Sequence, residues 1–549
     1  TGAGAFQPPS EPPHTTDTIP LQCAVGLACL FSLSHLLGIV SLLNPVTAIG
    51  IVLLGIGLAL TQASIALRAH TLKNLPPPSL AWLLATPAIA VLLVAAAMPP
   101  GWLWSSEFGG FDALSYHLQL PQEWLALGRI EPLEHNVYSY LPGSIEAAFT
   151  HMGAMTLAPT DRGLLAGDGW RLLACQGLHA GLTLTAAWLA ARATRRFALN
   201  AGTHATTARW AGAITGCLML ATPWAVVTGS LAYNEAGVNA MLAGVLLVCA
   251  QPQLSPTVRS GLVGLLVGAA CGFKPTALFF VGLPAGFLLV ASCIQFQFYC
   301  ATDSEPRTSV RGSGEHESPP GLKSGAPKNG MLFSSKKLRT LAPALLVGAL
   351  VGLLTLSPWL LRNFLHSGNP VFPFAADLFG SAHWSADQLA RYTAAHTFDG
   401  SLADRLRTLL WTSPASAPGD PTIERFRGLA NPQWGLLAPM TLAAVGLLLV
   451  RSPRTAPRRA GLSPARLPAL LTLGLLAQLL VWLTLTHLQS RFLLPTLPIA
   501  AVLVGLAFAH LRTRADTRPE ARAAVALLAG VAIAAQSAFL FVTYTTQRD

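Results

Sequence analysis

The sequence predicts an all-α polytopic membrane protein, a bundle of about 13 transmembrane helices with two partly helical loops on the outer side. Three observations predict it. Of 549 residues, 52% are hydrophobic and only 11% charged, about half the charge of a soluble globular domain, where roughly 25% is usual. Apolar runs approaching the roughly 20 residues needed to cross a hydrocarbon core recur along the whole chain. Lys and Arg gather in alternate connections between those runs, the pattern that cytoplasmic loops show. A soluble enzyme, a disordered chain and a coiled coil are all excluded by so few charges among so many Leu, Ala and Val.

In chain order, residues 1–19 contain no Lys or Arg and several prolines, so they read as a short disordered tail and lack the basic start of a signal peptide. Three spans follow within 20–98, near 20–43, 46–67 and 79–98. A first outer loop occupies 99–169, with short amphipathic runs at Pro121–Leu127 and Ile145–Met155 that read as interfacial helices. Five spans fill 170–299, near 170–191, 208–229, 231–250, 259–273 and 275–297, with Lys274-Pro275 dividing the last two. Residues 300–338 are rich in Ser, Gly, Pro and Lys and read as a disordered cytoplasmic linker. One span at 339–361 leads into a second outer loop, 362–432, where Leu402, Leu406, Leu409, Leu410 and Trp411 share a helical face. Four spans near 433–450, 467–487, 493–511 and 523–543 complete the chain within 433–549.

Placing the connections on alternate sides puts 23 of the 35 Lys and Arg in one set, although the other owns both long loops. That set is cytoplasmic by the positive-inside rule, which puts the N-terminus in the cytoplasm and the C-terminus outside. The eight cysteines lie in or beside apolar runs without paired spacing and read as small core residues.

Candidate chemistry gathers at the outer membrane edge. Glu107 and Asp112 directly follow the third span, where a carboxylate can take a proton from a hydroxyl nucleophile or hold a cation; the plainer reading is that Asp112 caps a helix starting near Ala113. Tyr116 and His117 lie within the same run, with His117 either a ligand or a satisfied structural residue. Glu235 stands at the edge of a span without a polar loop around it, and a charge at membrane depth marks a lined cavity. Lys274, Arg362 and Arg491 break the inside bias on the same side. Each alone can snorkel, but together they suggest a phosphate site, guanidinium forks giving paired hydrogen bonds and the Lys a point charge. Gly368-Asn369-Pro370-Val371-Phe372-Pro373 follows Arg362-Asn363 as either a rigid strap over a cavity mouth or a plain turn. There is no P-loop, dinucleotide Gly fingerprint, Gly-x-Ser-x-Gly or His-Glu-x-x-His, and the scattered basic residues give nucleic-acid binding no support.

These residues carry a resemblance. Phe111-Asp112 through Tyr116-His117 to Pro121, then Trp124 to Ile130 and Tyr138 to Pro142-Gly143, is similar to the first outer loop of bacterial GT-C glycosyltransferases, relatives of the protein O-mannosyltransferases and of the aminoarabinose transferase that modifies lipid A. Pro358-Trp359-Leu-Leu-Arg362-Asn363 with Gly368-Asn369-Pro370 resembles their later outer loop, and Arg491-Phe-Leu-Leu-Pro495 their late helix start; the likeness spans roughly residues 80–510. The resemblance implies sugar transfer from a polyprenyl-phosphate donor to a lipid, glycan or protein acceptor at the outer face of the cell envelope. Asp112 matches the catalytic base or acceptor-orienting Asp. Glu235 corresponds to a second acidic residue that many relatives have as Asp, and Tyr116, Asn363 and Asn369 fall in substrate-binding stretches. No motif assigns a cofactor; the first loop has no Asp-x-Asp or Asp-Asp pair, and a divalent metal stays open. Two other classes use the same features: a transporter or flippase for a lipid-linked anion, and an inactive GT-C-like scaffold subunit of a larger membrane complex.

Overall fold

The computed structural model describes residues 17–68, 79–100, 102–104, 107, 110–155, 170–303, 335–410, 428–450, 466–515 and 518–546. The expected disordered tail and cytoplasmic linker therefore lie largely outside the described residues, as does Trp411. At the linker's two ends, helix continues to Asp303 and resumes at Ser335.

Every described element is helical or a turn. Two helices, α1 (Thr18–Ile39) and α2 (Pro45–Arg68), open the chain, and α3 (Thr86–Ala96) follows a 3₁₀ turn at Leu80–Ala85. The first long loop carries α4 (Gln119–Leu127) and α5 (Ser144–Ala154). The central helices are α6 (Trp170–Asn200), α7 (Ala205–Ala221), α8 (Pro223–Gly229), α9 (Glu235–Cys249), α10 (Pro256–Phe273), α11 (Ala277–Phe280), α12 (Gly282–Asp303) and α13 (Ser335–Ser367). The second long loop holds α14 (Ala376–Phe379), α15 (Ala386–His396) and α16 (Leu402–Leu410), before α17 (Leu437–Val450), α18 (Leu467–Leu485), α19 (Leu497–Arg514) and α20 (Pro519–Thr546). Each of the thirteen apolar runs in the sequence is helical. Among the described residues, nine helices are long and apolar enough to cross a membrane by themselves. A tenth span is the bent pair α7 and α8, and the runs at Leu80–Ala96, Glu235–Cys249 and Leu437–Val450 are shorter. The chain is an integral membrane protein.

Three local features position the chemistry. The α7–α8 pair bends by 63° at Thr222-Pro223. Pro223 cannot donate to a preceding carbonyl and pushes Thr222 into an extended conformation, so the chain turns there and delivers Tyr233 to Glu235 at the start of α9. Every residue of α9 is buried, which makes it the axis of the bundle, packed by α6, α10, α1 and α12. The third feature is the closest helix pair, α10 against α13. A Cβ on Gly264 would stand 2.0 Å from the Gly348 carbonyl oxygen, and one on Gly268 2.5 Å from that of Gly352. Only hydrogen lets these backbones approach so closely, the way small residues hold helices together without a hydrophobic drive.

Ile145–Met155 reads as an interfacial helix, but ten of the eleven residues of α5 are buried, packed against α1, α4 and α6. Its side chains are packed on all sides, so α5 is a core element of the loop. At the opposite end of the bundle, Asp17 is buried and pairs with Arg192 and Arg196, 2.5 and 2.7 Å away.

Candidate functional site

Residues far apart in sequence converge where α3, α8–α9, α10 and the start of α19 end. The 3₁₀ turn Ser490–Thr496 precedes α19 and carries Arg491, whose guanidinium forks onto two carboxylates: Nη1 donates to Glu107 Oε2 and Nη2 to Asp112 Oδ2. The Tyr233 hydroxyl donates to the same Glu107 oxygen at 3.1 Å. Lys274, at the break between α10 and α11, donates to Glu235 Oε1 at 2.8 Å. Phe492 joins the two pairs, with Lys274 Nζ 4.2 Å and Arg491 Cζ 5.4 Å from its ring centre; Tyr233 presents its ring to Arg491 at 5.0 Å. Glu235 opens α9, where the helix dipole favours an anion. Its second oxygen and the Asn234 amide oxygen are buried without a hydrogen-bond partner among the described residues.

Asp112 makes no capping hydrogen bond, so the capping alternative is not realised. The local backbone explains where it points instead. Pro121 has no N–H to offer the His117 carbonyl, so the α-helical ladder cannot run through this stretch. Leu118 N–H reaches back five residues to Ala113 O at 2.8 Å, closing a π-turn over Ala113–His117 before α4 starts. Such a wide turn brings residues five apart towards one side, which places Asp112 and His117 around the same centre. Tyr116 stacks on Tyr138 at 4.4 Å, and the His117 ring lies 4.1 Å from Tyr116 and 5.4 Å from Tyr233.

The cluster is electrostatically tense. Three carboxylates face two cations, so neutrality is not reached with every acid ionised. Burial pushes the Glu107 carboxyl up and Arg491 pulls it back, while Asp112 and Glu235 push it up again, leaving it at about 7. For Asp112 burial also opposes ionisation, but the charge and hydrogen bond of Arg491 override it and hold the carboxyl below its ordinary range. Glu107 is thus the proton-holding member and Asp112 the fixed anion.

Arg362, expected beside Lys274 and Arg491, does not join them. Its Nη2 donates to the Ser139 and Leu141 carbonyls at 2.8 and 2.9 Å, and its Nη1 lies 3.4 Å from His35 Nε2. Asn363 bonds the Tyr140 and Phe372 carbonyls, while Asn369 closes its own loop onto the Phe374 and Gly380 carbonyls. All three side chains are occupied by backbone acceptors; Arg362 and Asn363 stitch the two long loops together, and Asn369 fixes the Gly368–Pro373 turn beside that seam. The sequence reading missed Glu146, whose Oε1 lies 2.6 Å from His117 Nδ1. It also missed Tyr233 and His179, whose Nε2 accepts the Ala236 amide hydrogen at 3.3 Å. An acid in the first turn of an otherwise apolar helix was the available signal for Glu146. Among the described residues no three His, Cys, Asp or Glu side chains are grouped to hold a metal.

Fold and site together define an all-helical integral membrane protein with a buried acid–cation cluster at one end of its bundle. Its fold is similar to two crystal structures of ArnT from Cupriavidus metallidurans, one bound to undecaprenyl phosphate and one in the apo state. The chain is 14% identical to each, with a TM-score of 0.44, over 85% of this chain and 76% and 75% of theirs. No protein-family model matches the chain. No curated protein matches it.

Proposed function

We propose that the protein transfers a sugar from a polyprenyl-phosphate donor to an acceptor at the outer face of the membrane. The observation that carries this reading is the meeting of Arg491 and Lys274 with Glu107, Asp112 and Glu235 at one end of the helices. The first-loop and late-helix motifs that resemble GT-C enzymes supply Asp112 and Arg491 to that cluster.

In the proposed reaction the acceptor oxygen or nitrogen attacks the anomeric carbon while its proton passes to a basic side chain of the site, the bond from that carbon to the phosphate oxygen breaks, and the lipid phosphate leaves with the electron pair. Arg491 and Lys274 neutralise the charge growing on the phosphate, preorganised donors that need no reorganisation at the moment of reaction. Asp112, a fixed anion, orients the acceptor's hydrogen, and Glu235 holds Lys274 in place. Attack opposite the leaving group gives inversion. Partial protonation of Glu107 near neutral pH releases the Nη1 arm of Arg491 to engage an anion, while Nη2 stays on Asp112.

The test supplies membranes containing the protein with a panel of undecaprenyl-phosphate hexoses and pentoses labelled in the sugar. Transfer of label from one of them to another lipid, glycan or protein, falling by about 10²-fold in Asp112→Asn, which loses the acceptor-orienting charge, is the expected result. Label that crosses the bilayer still attached to its lipid, or no transfer from any donor, overturns the reading in favour of a transporter or an inactive scaffold.

A further inference from the structure

Glu146 has no part in the reaction as drawn, yet it is an acid buried in a membrane protein and held against an imidazole. His117 Nδ1 and Glu146 Oε1 are 2.6 Å apart, and both residues are almost wholly buried. A carboxylate only accepts hydrogen bonds, so with Glu146 ionised the proton of a neutral His117 sits on Nδ1 and the Nε2 lone pair is free. Two features place positive potential at Glu146. It lies in the first turn of α5, at the positive end of the helix dipole. Its other oxygen and the Arg362 guanidinium border the same glycine: a Cβ on Gly143 would stand 3.8 Å from Glu146 Oε2 and 3.5 Å from Arg362 Nη1. Arg362, excluded from the phosphate cluster by its carbonyl bonds, is therefore placed to support this acid.

Resting on the proposed function, we infer that the His117–Glu146 pair is the general base of the transfer, with His117 the catalytic residue and Glu146 and Arg362 positioning residues. In balanced form, the acceptor O–H or N–H gives its proton to His117 Nε2 as its heavy atom bonds to the anomeric carbon; the phosphate leaves with the electrons of the broken bond, and the imidazolium is held by Glu146. The carboxylate at the centre is poorly suited to this task, because Asp112 is tied to Arg491. His117 makes no hydrogen bond through Nε2 among the described residues, and it shares the Tyr233 ring with Arg491. The charged and titratable groups around it are Tyr116 and Asp112 on its own turn, Glu146 from α5, His179 from α6, Tyr233 and Glu235 from the α8–α9 bend, and Arg491 before α19.

The experiment measures initial transfer rates between pH 5.5 and 9 with the donor that the wild type uses, for wild type, His117→Gln and Glu146→Gln. Binding of undecaprenyl phosphate is followed in parallel as a check on folding. The inference expects His117→Gln to lose about 10²–10⁴-fold in kcat, to bind undecaprenyl phosphate as the wild type does, and to lose the fall in rate at low pH that marks protonation of the base. Glu146→Gln moves that fall to lower pH, because the imidazolium loses its carboxylate. A His117→Gln rate within about threefold of wild type overturns the inference, and so does an unmoved acidic limb in Glu146→Gln, which decides the matter if the His117 variant does not fold. If the wild type transfers no sugar, the proposed function has failed on its own account. The pair is then read by the pH dependence of diethylpyrocarbonate modification at His117: a profile shifted to lower pH by Glu146→Gln supports the dyad, and an unshifted one overturns it.

Discussion

Arg491 is the residue on which the cluster balances, since among the described residues it alone pairs with both first-loop acids. Removing one partner of a buried ion pair strands the other, at a cost of about 3–5 kcal/mol. Arg491→Ala, which strands both Glu107 and Asp112, is expected to lower thermal stability in detergent by that order, with Arg491→Lys intermediate because it keeps the charge but not the fork. Unchanged melting of Arg491→Ala would show that the two acids do not depend on it. Glu107 gives a pH dependence whose sign follows from its raised value of about 7. Below that pH the carboxyl is protonated and leaves Arg491 to an incoming phosphate; above it, the carboxylate competes. Undecaprenyl phosphate affinity is therefore expected to fall as pH rises from 6 to 8, by up to about tenfold per unit for one coupled proton, and Glu107→Gln to abolish most of that slope. The lipid phosphate's own ionisation, near pH ~6, is common to both proteins and cancels in the comparison, so an equal slope in wild type and variant would exclude Glu107 as the coupled group.

At the scale of elements, composition and period made the spans legible and left the contacts between them hidden. A bilayer demands one long apolar run per crossing, so α1, α2, α6 and α18 stand out of the sequence, and Lys274-Pro275 marks the α10–α11 break because Pro cannot continue a helix. Charges at membrane edges were legible as exceptions, which is how Asp112, Glu235, Lys274 and Arg491 were singled out. Which charge meets which was not legible: Arg491 and Asp112 are 379 residues apart, and no local pattern distinguishes Arg491 from Arg362, whose neighbours happen to be carbonyls. Glu146 was hidden for another reason, since a single acid on a short helix reads as a solvent face until the packing buries it. The α10–α13 seam offers a paired test at this scale. Gly264→Ala forces a Cβ onto the Gly348 carbonyl and is expected to destabilise by about 1–3 kcal/mol. Gly261→Ala meets only Val347 at 3.7 Å and is expected to be neutral or to gain up to about 1 kcal/mol from helix propensity. Equal melting temperatures for the two variants would mean that the seam is not a tight contact in the membrane.

For the whole molecule, the question that the acid–cation cluster raises is which aqueous compartment it serves. The cluster sits at the end where α3, α10 and α13 finish, and α6 runs from that end to the opposite one, where Asp17 pairs with Arg192 and Arg196. Pairing with Asp17 neutralises part of the basic excess on that far side, but the connections belonging to it still hold most of the Lys and Arg in the chain. Basic loops are retained in the cytoplasm, so the cluster is expected to open to the exterior, where a lipid-linked sugar is delivered at the head-group level without crossing an apolar barrier. Two exposed alanines decide this: Ala394 on α15, on the cluster side, and Ala201 in the turn after α6, on the far side. In cells expressing Ala394→Cys or Ala201→Cys, a membrane-impermeant maleimide is expected to label the first and to reach the second only after the membrane is opened. The native cysteines lie within apolar helices and serve as the background. Labelling of Ala201→Cys in intact cells, with Ala394→Cys protected, would invert the topology, and a reaction at the outer face would then have no site on that face.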